Sequence, residues 1–521
     1  MTMTVRDIRP DVRPLSFSEA VSRIEDATLV IHGHQGWNTP VSGVTVNSSD
    51  IEHGWIFVAV AGLVQHGASF FPQAVAGGAV AVVTDSAGAQ IIKEISTNIP
   101  VVVVQDPRFA AATIASVIHH DPATRIRTLA VTGTNGKTTT TYLMRSALRG
   151  TYPDAALCGT VQTHVGDVEF LSQKTTAESP VVYRFLDLAA QKNLGAAIVE
   201  TSSHALSLGR VHDIIFDVAV FTNLQHDHLD YYGDMENYFE AKKELFTPQH
   251  ARFGVICVDD VWGQRLARET SIPHVTYAAM TDTPADWCAR EIHCDRDTHS
   301  TIFTLQSPQG DSYSLSLPIL GSVNVQNAVA AFISALTLGL DIDEVIASLA
   351  HADQIPGRME IVNPTRTDQP LVIVDFAHTP EGLEWTLRTA RDLTTGRVSV
   401  VFGTDGERDP SKREDLGAVA AREADVLWVT DENPRYEDPQ SIRNFLLRGI
   451  DRVRPDRVDV TEVSTCRRDA VRRAILQSHV DDIVMITGKG PEWYQEIEGI
   501  KHAYSDTSTA REILQQAPSF D

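Results

Sequence analysis

Apolar runs closed by polar residues recur along the chain and set its predicted architecture. Residues 129–131, 195–200 and 218–223 are near-continuous apolar stretches, the pattern of parallel strands covered on both faces. They lead into Gly133, Glu200 and Asn223. Functional groups in such sheets collect beyond the carboxyl ends of the strands, so these three positions are expected along one edge. A second set of runs, at 371–375, 398–402, 426–430 and 482–487, alternates with helical stretches and predicts a smaller doubly wound sheet. Before residue 122, shorter β-rich runs at 54–61, 79–84 and 101–105 alternate with helical segments. The fold class is α/β.

Two breaks divide this pattern. His119-His120-Asp121-Pro122 reads as a connector, because proline biases its predecessor out of helix. Its paired histidines are expected in solvent rather than on a metal. Pro356-Gly357-Arg358 reads as a hinge. The expected domains are therefore 1–122, 123–356 and 357–521, since 521 residues exceed one core and domains average about 150 residues.

Gly133-Thr134-Asn135-Gly136-Lys137-Thr138-Thr139 lies between the run at 129–131 and Tyr142-Leu143-Met144, so it reads as strand, glycine loop and helix start. Glycines let backbone N–H groups approach phosphate oxygens, and the helix N-terminus adds its positive end. Lys137 can reach terminal phosphates and the Thr138 hydroxyl can bind Mg²⁺. The general phosphate-loop pattern has glycine at the position held here by Val131, so the loop is shortened and departs from that of a generic ATPase.

Composition narrows the partners. Hydrophobic residues make up 43% and charged ones 21%, with a formal net charge of −24. That balance argues against nonspecific nucleic-acid or anionic-membrane binding, so cations for anionic substrates must be concentrated locally. Five scattered cysteines suggest reduced thiols in a cytosolic protein. Arg6, Asp7, Arg9, Asp11 and Arg13 precede no apolar core of a signal peptide. The expected setting is cytoplasmic, as a monomer.

Glu200, at a strand end before Thr201-Ser202-Ser203-His204, can hold Mg²⁺ opposite Thr138, because hard cations take oxygen ligands. Its bland alternative is a charge near the start of the next helix. His226-Asp227-His228 invites a zinc reading but lacks a third ligand at helical spacing and a nearby cysteine. Residues 236–246 have helical apolar spacing, and their Lys242 and Lys243 would ordinarily be solvated.

Taken together, Thr132 to Thr138, Glu200-Thr201-Ser202-Ser203-His204, Asp227-His228-Leu229-Asp230 and Lys242 resemble the signature of the Mur ligase family. Gly233-Asp234-Met235-Glu236 and Asp375-Phe376-Ala377-His378-Thr379-Pro380 resemble the branch that adds the third residue of the peptidoglycan stem peptide. The resemblance implies a small N-terminal α/β domain binding the UDP moiety, a central phosphate-loop domain and a C-terminal Rossmann-like domain. It implies ATP-driven amide formation: the D-Glu carboxylate of UDP-MurNAc-L-Ala-D-Glu becomes an acyl phosphate, and a diamino acid attacks it. Lys137, Glu200, His228 and Lys242 would be catalytic; Thr138, Glu200, His228 and Lys242, the last as a CO₂-derived carbamate, would hold Mg²⁺. ATP would meet Gly133, Thr134, Asn135, Gly136, Lys137, Thr138 and Thr139, with Asn324 and Asn327 on the adenine side and Arg358 and Asp375 arriving after hinge closure. As a lone pattern, Asn324 and Asn327 would be a helix cap.

The same resemblance places the UDP-sugar peptide against Val46, Ser48, Thr175, Thr176, Ser202 and Arg210. Ser49 and Leu208 depart from the family pattern there, which usually has arginine and a polar amide. The diamino acid would meet Arg408, Glu432, Asn433, Pro434, Arg435, Gly488 and Glu492. Arg435 matches the arginine that reads the distal carboxylate of meso-diaminopimelate, a bidentate geometry that lysine cannot copy. Yet Pro491 replaces the family's histidine, and Asp405, Glu407, Glu432, Glu437 and Asp438 crowd the region, which suits a lysine-like ammonium. The reading leans to diaminopimelate, with L-lysine and L-ornithine left open. A folylpolyglutamate-synthetase-like ligase shares the shortened loop, and a phosphate-loop switch would need no second metal site.

Overall fold

In the computed structural model, which describes residues 3–62, 64–95, 98–172, 174–364 and 368–517, the apolar runs become the strands of three large sheets. By contact, the chain divides into one unit of residues 1–288, 306–311 and 326–349 and another of 289–305, 312–325 and 350–521.

The first unit holds the N-terminal sheet and most of the central one. Its N-terminal sheet comprises β1 (Thr28–Ile31), β2 (Gly43–Thr45), β3 (Trp55–Ala59), β4 (Ala79–Thr84) and β5 (Val101–Val103) in the order β1-β5-β4-β3-β2. Only the β1–β5 pair is antiparallel. Helix α1 (Pro107–Ile118) follows, its first turn capped by the Asp106 carboxylate, which accepts from the Arg108 and Phe109 amides.

His119, expected in solvent, is instead buried at 2% exposure. Its Nδ1 lies 2.8 Å from Asp187 Oδ2, and Arg125 holds the other oxygen of that carboxylate at 2.9 Å. Burial opposes protonation of His119 and lowers its pKa, although Asp187 pulls the other way. The connector is thus part of a buried polar joint between the N-terminal segment and the helix that carries Asp187. His120 is exposed.

The eight strands of the eleven-stranded central sheet that lie in this unit are β6 (Arg127–Thr132), β7 (Ala156–Cys158), β8 (Gln162–Val165), β9 (Val168–Leu171), β10 (Ala196–Glu200), β11 (Val218–Phe221), β12 (Gly254–Cys257) and β13 (His274–Ala278), ordered β9-β8-β7-β10-β6-β11-β12-β13. Helix α2 (Lys137–Ala147) follows β6, and α3 (Ser179–Gln191) packs on α1. Strand β6 runs parallel to β10 and β11, with Val131 opposite Glu200 and Thr132 opposite Phe221. That register aligns the carboxyl ends of three neighbouring strands. Gly133, Glu200 and Asn223 therefore share one edge, as the apolar pattern predicts.

The second unit holds β14 (Glu360–Ile361), β15 (Leu371–Asp375), β16 (Val398–Phe402), β17 (Val426–Val429), β18 (Val460–Glu462) and β19 (Ile483–Thr487), ordered β14-β15-β19-β16-β17-β18. All neighbours but β14 and β15 are parallel. Successive side chains alternate faces, and each face has its own core. Ile373, Val400 and Met485 join Leu387, Leu416 and Leu446 on one side. Val372, Val401 and Val484 join Val471 and Ile513 on the other. The sheet is doubly wound.

Candidate active site

The turn from β6 into α2 is a close-packed glycine loop. Gly136 has φ +84°, and a Cβ there would collide with Asn327 Oδ1, so only glycine fits both the left-handed backbone and the space. Gly133 meets the Thr222 hydroxyl in the same way. The neighbouring strand end pins the loop. Asn135 N donates to Asn223 Oδ1 at 2.9 Å, Thr134 N donates to Asn223 O at 2.9 Å, and Asn135 Nδ2 donates to Gln225 Oε1 at 2.7 Å. Asn327 Oδ1 accepts from Thr140 Oγ1 at 3.1 Å.

Lys137 Nζ donates to the carbonyls of Gly133 and Thr134 at 3.0 and 2.9 Å. Glu200 is fully buried. One of its carboxylate oxygens, Oε2, accepts from Thr160 Oγ1 at 2.7 Å and from Thr138 Oγ1 at 3.3 Å. Its other oxygen, Oε1, is buried without a hydrogen bond. Burial raises the Glu200 pKa, while Thr160 and the Lys137 charge pull it down. A buried carboxylate oxygen lacking a donor, beside a hydroxyl and a lysine, fits a hard cation. Among the described residues no three His, Cys, Asp or Glu side chains gather as a metal group; the candidate donors here are of mixed type.

Helix α4 (Met235–Lys243) brings in a second lysine. Asp234 caps it, its carboxylate accepting from Asn237 N at 2.8 Å. Tyr238 and Lys242, four apart, share the buried face. Lys242 is only 1% exposed, against the expectation of a solvated lysine. Its Nζ donates to Gly133 O at 2.9 Å and lies 4.7 Å from the Tyr238 ring centre. Burial first, and then the Lys137 charge, push its pKa well below the usual lysine value. Lys243 turns outward to Glu240 and Glu269 at 3.0 and 2.8 Å.

The His228 ring is 6.0 Å from the same Tyr238 ring and 5.0 Å from that of His204. Tyr238 thus gathers Lys242 and His228, and its hydroxyl lies 3.3 Å from Thr134 Oγ1. Nearby, Thr176 Oγ1 donates to Glu200 O at 2.7 Å, Ser202 N donates to Thr176 Oγ1 at 3.0 Å, and Arg210 Nη1 donates to Thr176 O at 3.0 Å. Thr175 Oγ1 lies 3.1 Å from Thr160 Oγ1. Val46 and Ser48 lie on the N-terminal sheet's rim, where Ser48 Oγ donates to Gln73 Oε1 at 3.0 Å.

In the second unit, the segments after β16, β17 and β19 converge. Arg435 Nη2 lies 3.0 Å from Asp405 Oδ2, and Nη1 donates to Gly406 O at 3.3 Å. Asn433 Nδ2 donates to Asp405 Oδ1 at 3.0 Å and to Glu492 Oε2 at 2.9 Å. Lys489, with no exposed surface, donates to Asn433 Oδ1 at 2.9 Å and Glu492 Oε2 at 2.7 Å. Gly488 passes so close to Glu432 that a Cβ would strike Oε2. Pro434 is buried and Arg408 is exposed. Asp375 is satisfied internally by Met359 N, Ala377 N and Thr386 Oγ1 at 2.8, 2.9 and 3.1 Å. The Arg358 guanidinium stacks 4.2 Å from the Phe376 ring centre. Asn324, the third residue of the helix Ser322–Thr337, donates from Nδ2 to Leu320 O at 2.7 Å.

Three segments match family descriptions: residues 40–130 the Mur ligase family, catalytic domain; 131–335 the Mur ligase middle domain; and 357–490 the Mur ligase, glutamate ligase domain. The chain belongs to the Mur ligase family. A Streptomyces coelicolor UDP-N-acetylmuramoyl-L-alanyl-D-glutamate–2,6-diaminopimelate ligase is 37% identical over 477 residues, covering 91% of this chain and 93% of its own. A Leifsonia xyli UDP-N-acetylmuramyl-tripeptide synthetase is 40% identical over 481 residues, covering 92% of each. A solved UDP-N-acetylmuramoyl-L-alanyl-D-glutamate–2,6-diaminopimelate ligase aligns with a TM-score of 0.68 at 30% identity, over 97% of this chain and 99% of that one. A Mycobacterium tuberculosis folylpolyglutamate synthase, at 19% identity and TM-score 0.57 over 80% of this chain and 96% of that one, shares the fold.

Within this Mur ligase the residues that escaped sequence reasoning are Thr160, Tyr238, Gln225 and Glu496. Thr160 touches Glu200 from a loop forty residues earlier in the chain, and no local pattern marks it. Tyr238 carried a usable signal, because it precedes Lys242 by one helical turn.

Proposed function

We propose that this Mur ligase, driven by ATP, joins the D-glutamyl carboxylate of UDP-MurNAc-L-Ala-D-Glu to an amine of a diamino acid in peptidoglycan precursor synthesis. The γ-phosphoryl group passes from ATP to the carboxylate, giving an acyl phosphate and ADP. The amine then attacks the acyl carbon, the carbon–oxygen bond to phosphate breaks, and inorganic phosphate and a proton leave. The name of the S. coelicolor relative supplies the muramyl dipeptide and a diamino acid as substrates.

The observation that carries the reading is Lys242. A lysine buried beside the phosphate loop, with its pKa driven far down, favours the neutral amine, the form that adds CO₂. The carbamate would turn a cation into an oxygen ligand. Thr138, Glu200, His228 and carbamylated Lys242 would then hold Mg²⁺, which neutralises charge on the phosphoryl group when bound. The loop amides and Lys137 orient the nucleotide phosphates, with Lys137 exchanging its carbonyl partners for phosphate oxygens. Asn324, Asn327, Arg358 and Asp375 are assigned to the rest of ATP, and Val46, Ser48, Thr175, Thr176, Ser202 and Arg210 to the UDP-muramyl peptide. Arg408, Glu432, Asn433, Pro434, Arg435, Gly488 and Glu492 are assigned to the diamino acid.

The corresponding division is 1–122 for UDP, 123–356 for ATP and 357–521 for the amino acid, in a cytoplasmic monomer. No helix among the described residues is long and apolar enough to cross a membrane.

Purified protein with ATP, Mg²⁺ and a diamino acid should release phosphate only when UDP-MurNAc-L-Ala-D-Glu is added. ATP hydrolysis indifferent to the muramyl peptide would instead favour the switch.

A further inference from the structure

Helix α3 ties the N-terminal sheet to the central one. It packs on α1 and β2 on one side and on β7 and β10 on the other. Midway along it, Arg184 is 3% exposed. Its Nη2 donates to Asp50 Oδ2 at 2.7 Å, and its guanidinium lies 4.9 Å from the Trp55 ring centre. Trp55 in turn covers Gly43 so closely that a Cβ there would strike the ring. Asp50 is buried too, and it closes the turn that carries Val46 and Ser48. Asp50 N donates to Asn47 O at 2.9 Å, and Thr45 Oγ1 donates to Asp50 Oδ2 at 3.4 Å. Asn47 N donates to Thr45 Oγ1 at 3.1 Å, and Ser49 N donates to Asn47 Oδ1 at 3.0 Å. The turn is held by its own bonds; the Arg184–Asp50 pair joins it to α3.

As a source of stability the pair is poor. Asp50 Oδ1 and Arg184 Nε and Nη1 are buried without hydrogen bonds, and well-packed apolar side chains often hold such a place as well as a buried ion pair or better. What the pair adds is a fixed register between the segments it joins. That register matters here, because α3 begins directly after Thr175, Thr176 and Glu178, and Glu178 Oε1 lies 3.1 Å from Arg210 Nη2. One helix therefore starts beside the residues assigned to the muramyl peptide and grips the turn assigned to the UDP end.

We propose that Arg184, through Asp50, is a positioning residue: it sets the spacing between the turn at 45–50 and the residues around Thr176 and Arg210, so that one UDP-muramyl peptide engages both ends at once. The inference rests on the ligase reading above and deepens it. A ligand that spans two subsites gains from the second only where their separation matches its own length, and a misplacement of about 1 Å from a change far from the chemistry can cost about 100-fold. UDP alone reaches one end and is indifferent to the spacing. ATP, held by the loop between β6 and α2, is indifferent as well. Without the pair, Val182, Phe185 and Leu186 keep α3 in the apolar core that it shares with Val41 and Val44, but the register is no longer fixed.

The test measures binding of UDP, of ATP and of UDP-MurNAc-L-Ala-D-Glu to the full chain by titration calorimetry. The double variant Arg184→Met with Asp50→Asn leaves no buried charge stranded and keeps the bond from Thr45. It should bind the muramyl dipeptide about 10- to 100-fold more weakly than the unaltered protein, and UDP and ATP with undiminished affinity. Arg184→Lys, which keeps the charge but not the planar fork, should lose the same ligand selectively and by less. Equal loss for UDP would mean that the pair shapes the turn and not the spacing, which overturns the proposal. Loss of all three ligands together marks a structural role, and unchanged binding of the muramyl dipeptide marks no role; either result overturns it while leaving the ligase reading standing. Failure of the unaltered protein to bind the muramyl dipeptide removes the ligase reading, and the proposal falls with it.

Discussion

At the phosphate loop, Lys137 and Lys242 donate to main-chain carbonyls of Gly133 and Thr134. In the second unit, Arg435, Lys489 and Arg467 each sit on a carboxylate. The difference decides what each region can bind. A carbonyl has no formal charge and offsets the burial of an ammonium less than a carboxylate does, so Lys242, buried on one, is pushed toward its neutral form. A cation on a carboxylate is already neutralised, and recruiting it strands an acid. With a formal net charge of −24, the chain answers two anionic substrates by placing paired strand ends and carbonyl-held lysines at one site. It leaves the other site acidic.

The largest expected effect tests the phosphate side. Lys242→Ala should lower turnover by about 10³-fold, the upper range for removing one preorganised electrostatic group. Short-chain carboxylates should restore part of the loss by supplying the missing oxygen donors. Unchanged turnover would make Lys242 a packing residue and remove the contrast between the two regions. A smaller effect is expected next door. Thr160→Val removes the 2.7 Å donor to Glu200 Oε2, and groups that orient a metal ligand typically contribute 10–100-fold in metal affinity. The Mg²⁺ concentration for half-maximal turnover should rise by about 10-fold. An unaltered Mg²⁺ titration would detach Glu200 from the cation.

These two residues also show how much was legible in the sequence. The aligned strand ends were readable because burial on both faces writes itself as continuous apolar runs, and the shortened glycine loop because its backbone demands glycine. Lys242 could be singled out by resemblance, but its burial shows only when Tyr238 is placed on the same helical face. Thr160 and the Arg435–Asp405 pair were not legible. Both are contacts between segments thirty or more residues apart in the chain, and no local periodicity encodes such pairs. His119 failed for a related reason: proline marks the end of a helix, but whether that end is solvated depends on Asp187, in a helix far along the chain.

The smallest effect sharpens the acidic side. The Glu432 pKa is raised to about 8 by burial, then by Asp405, against the opposing charges of Arg467 and Lys489, with Glu492 adding to the rise. An ordinary glutamate titrates near 4.5, so between these values the folded chain holds a proton that the unfolded chain has released. Stability from this group is therefore lost as pH rises through that window. Glu432→Gln keeps the neutral shape and removes the titration. Relative to the unaltered protein, its unfolding midpoint should climb between pH 5 and pH 9 by about 2–4 °C, the shift expected for roughly 1 kcal/mol. A difference that does not vary with pH would mean that Glu432 is ionised and partnered in the folded chain. The two regions would then differ only in degree.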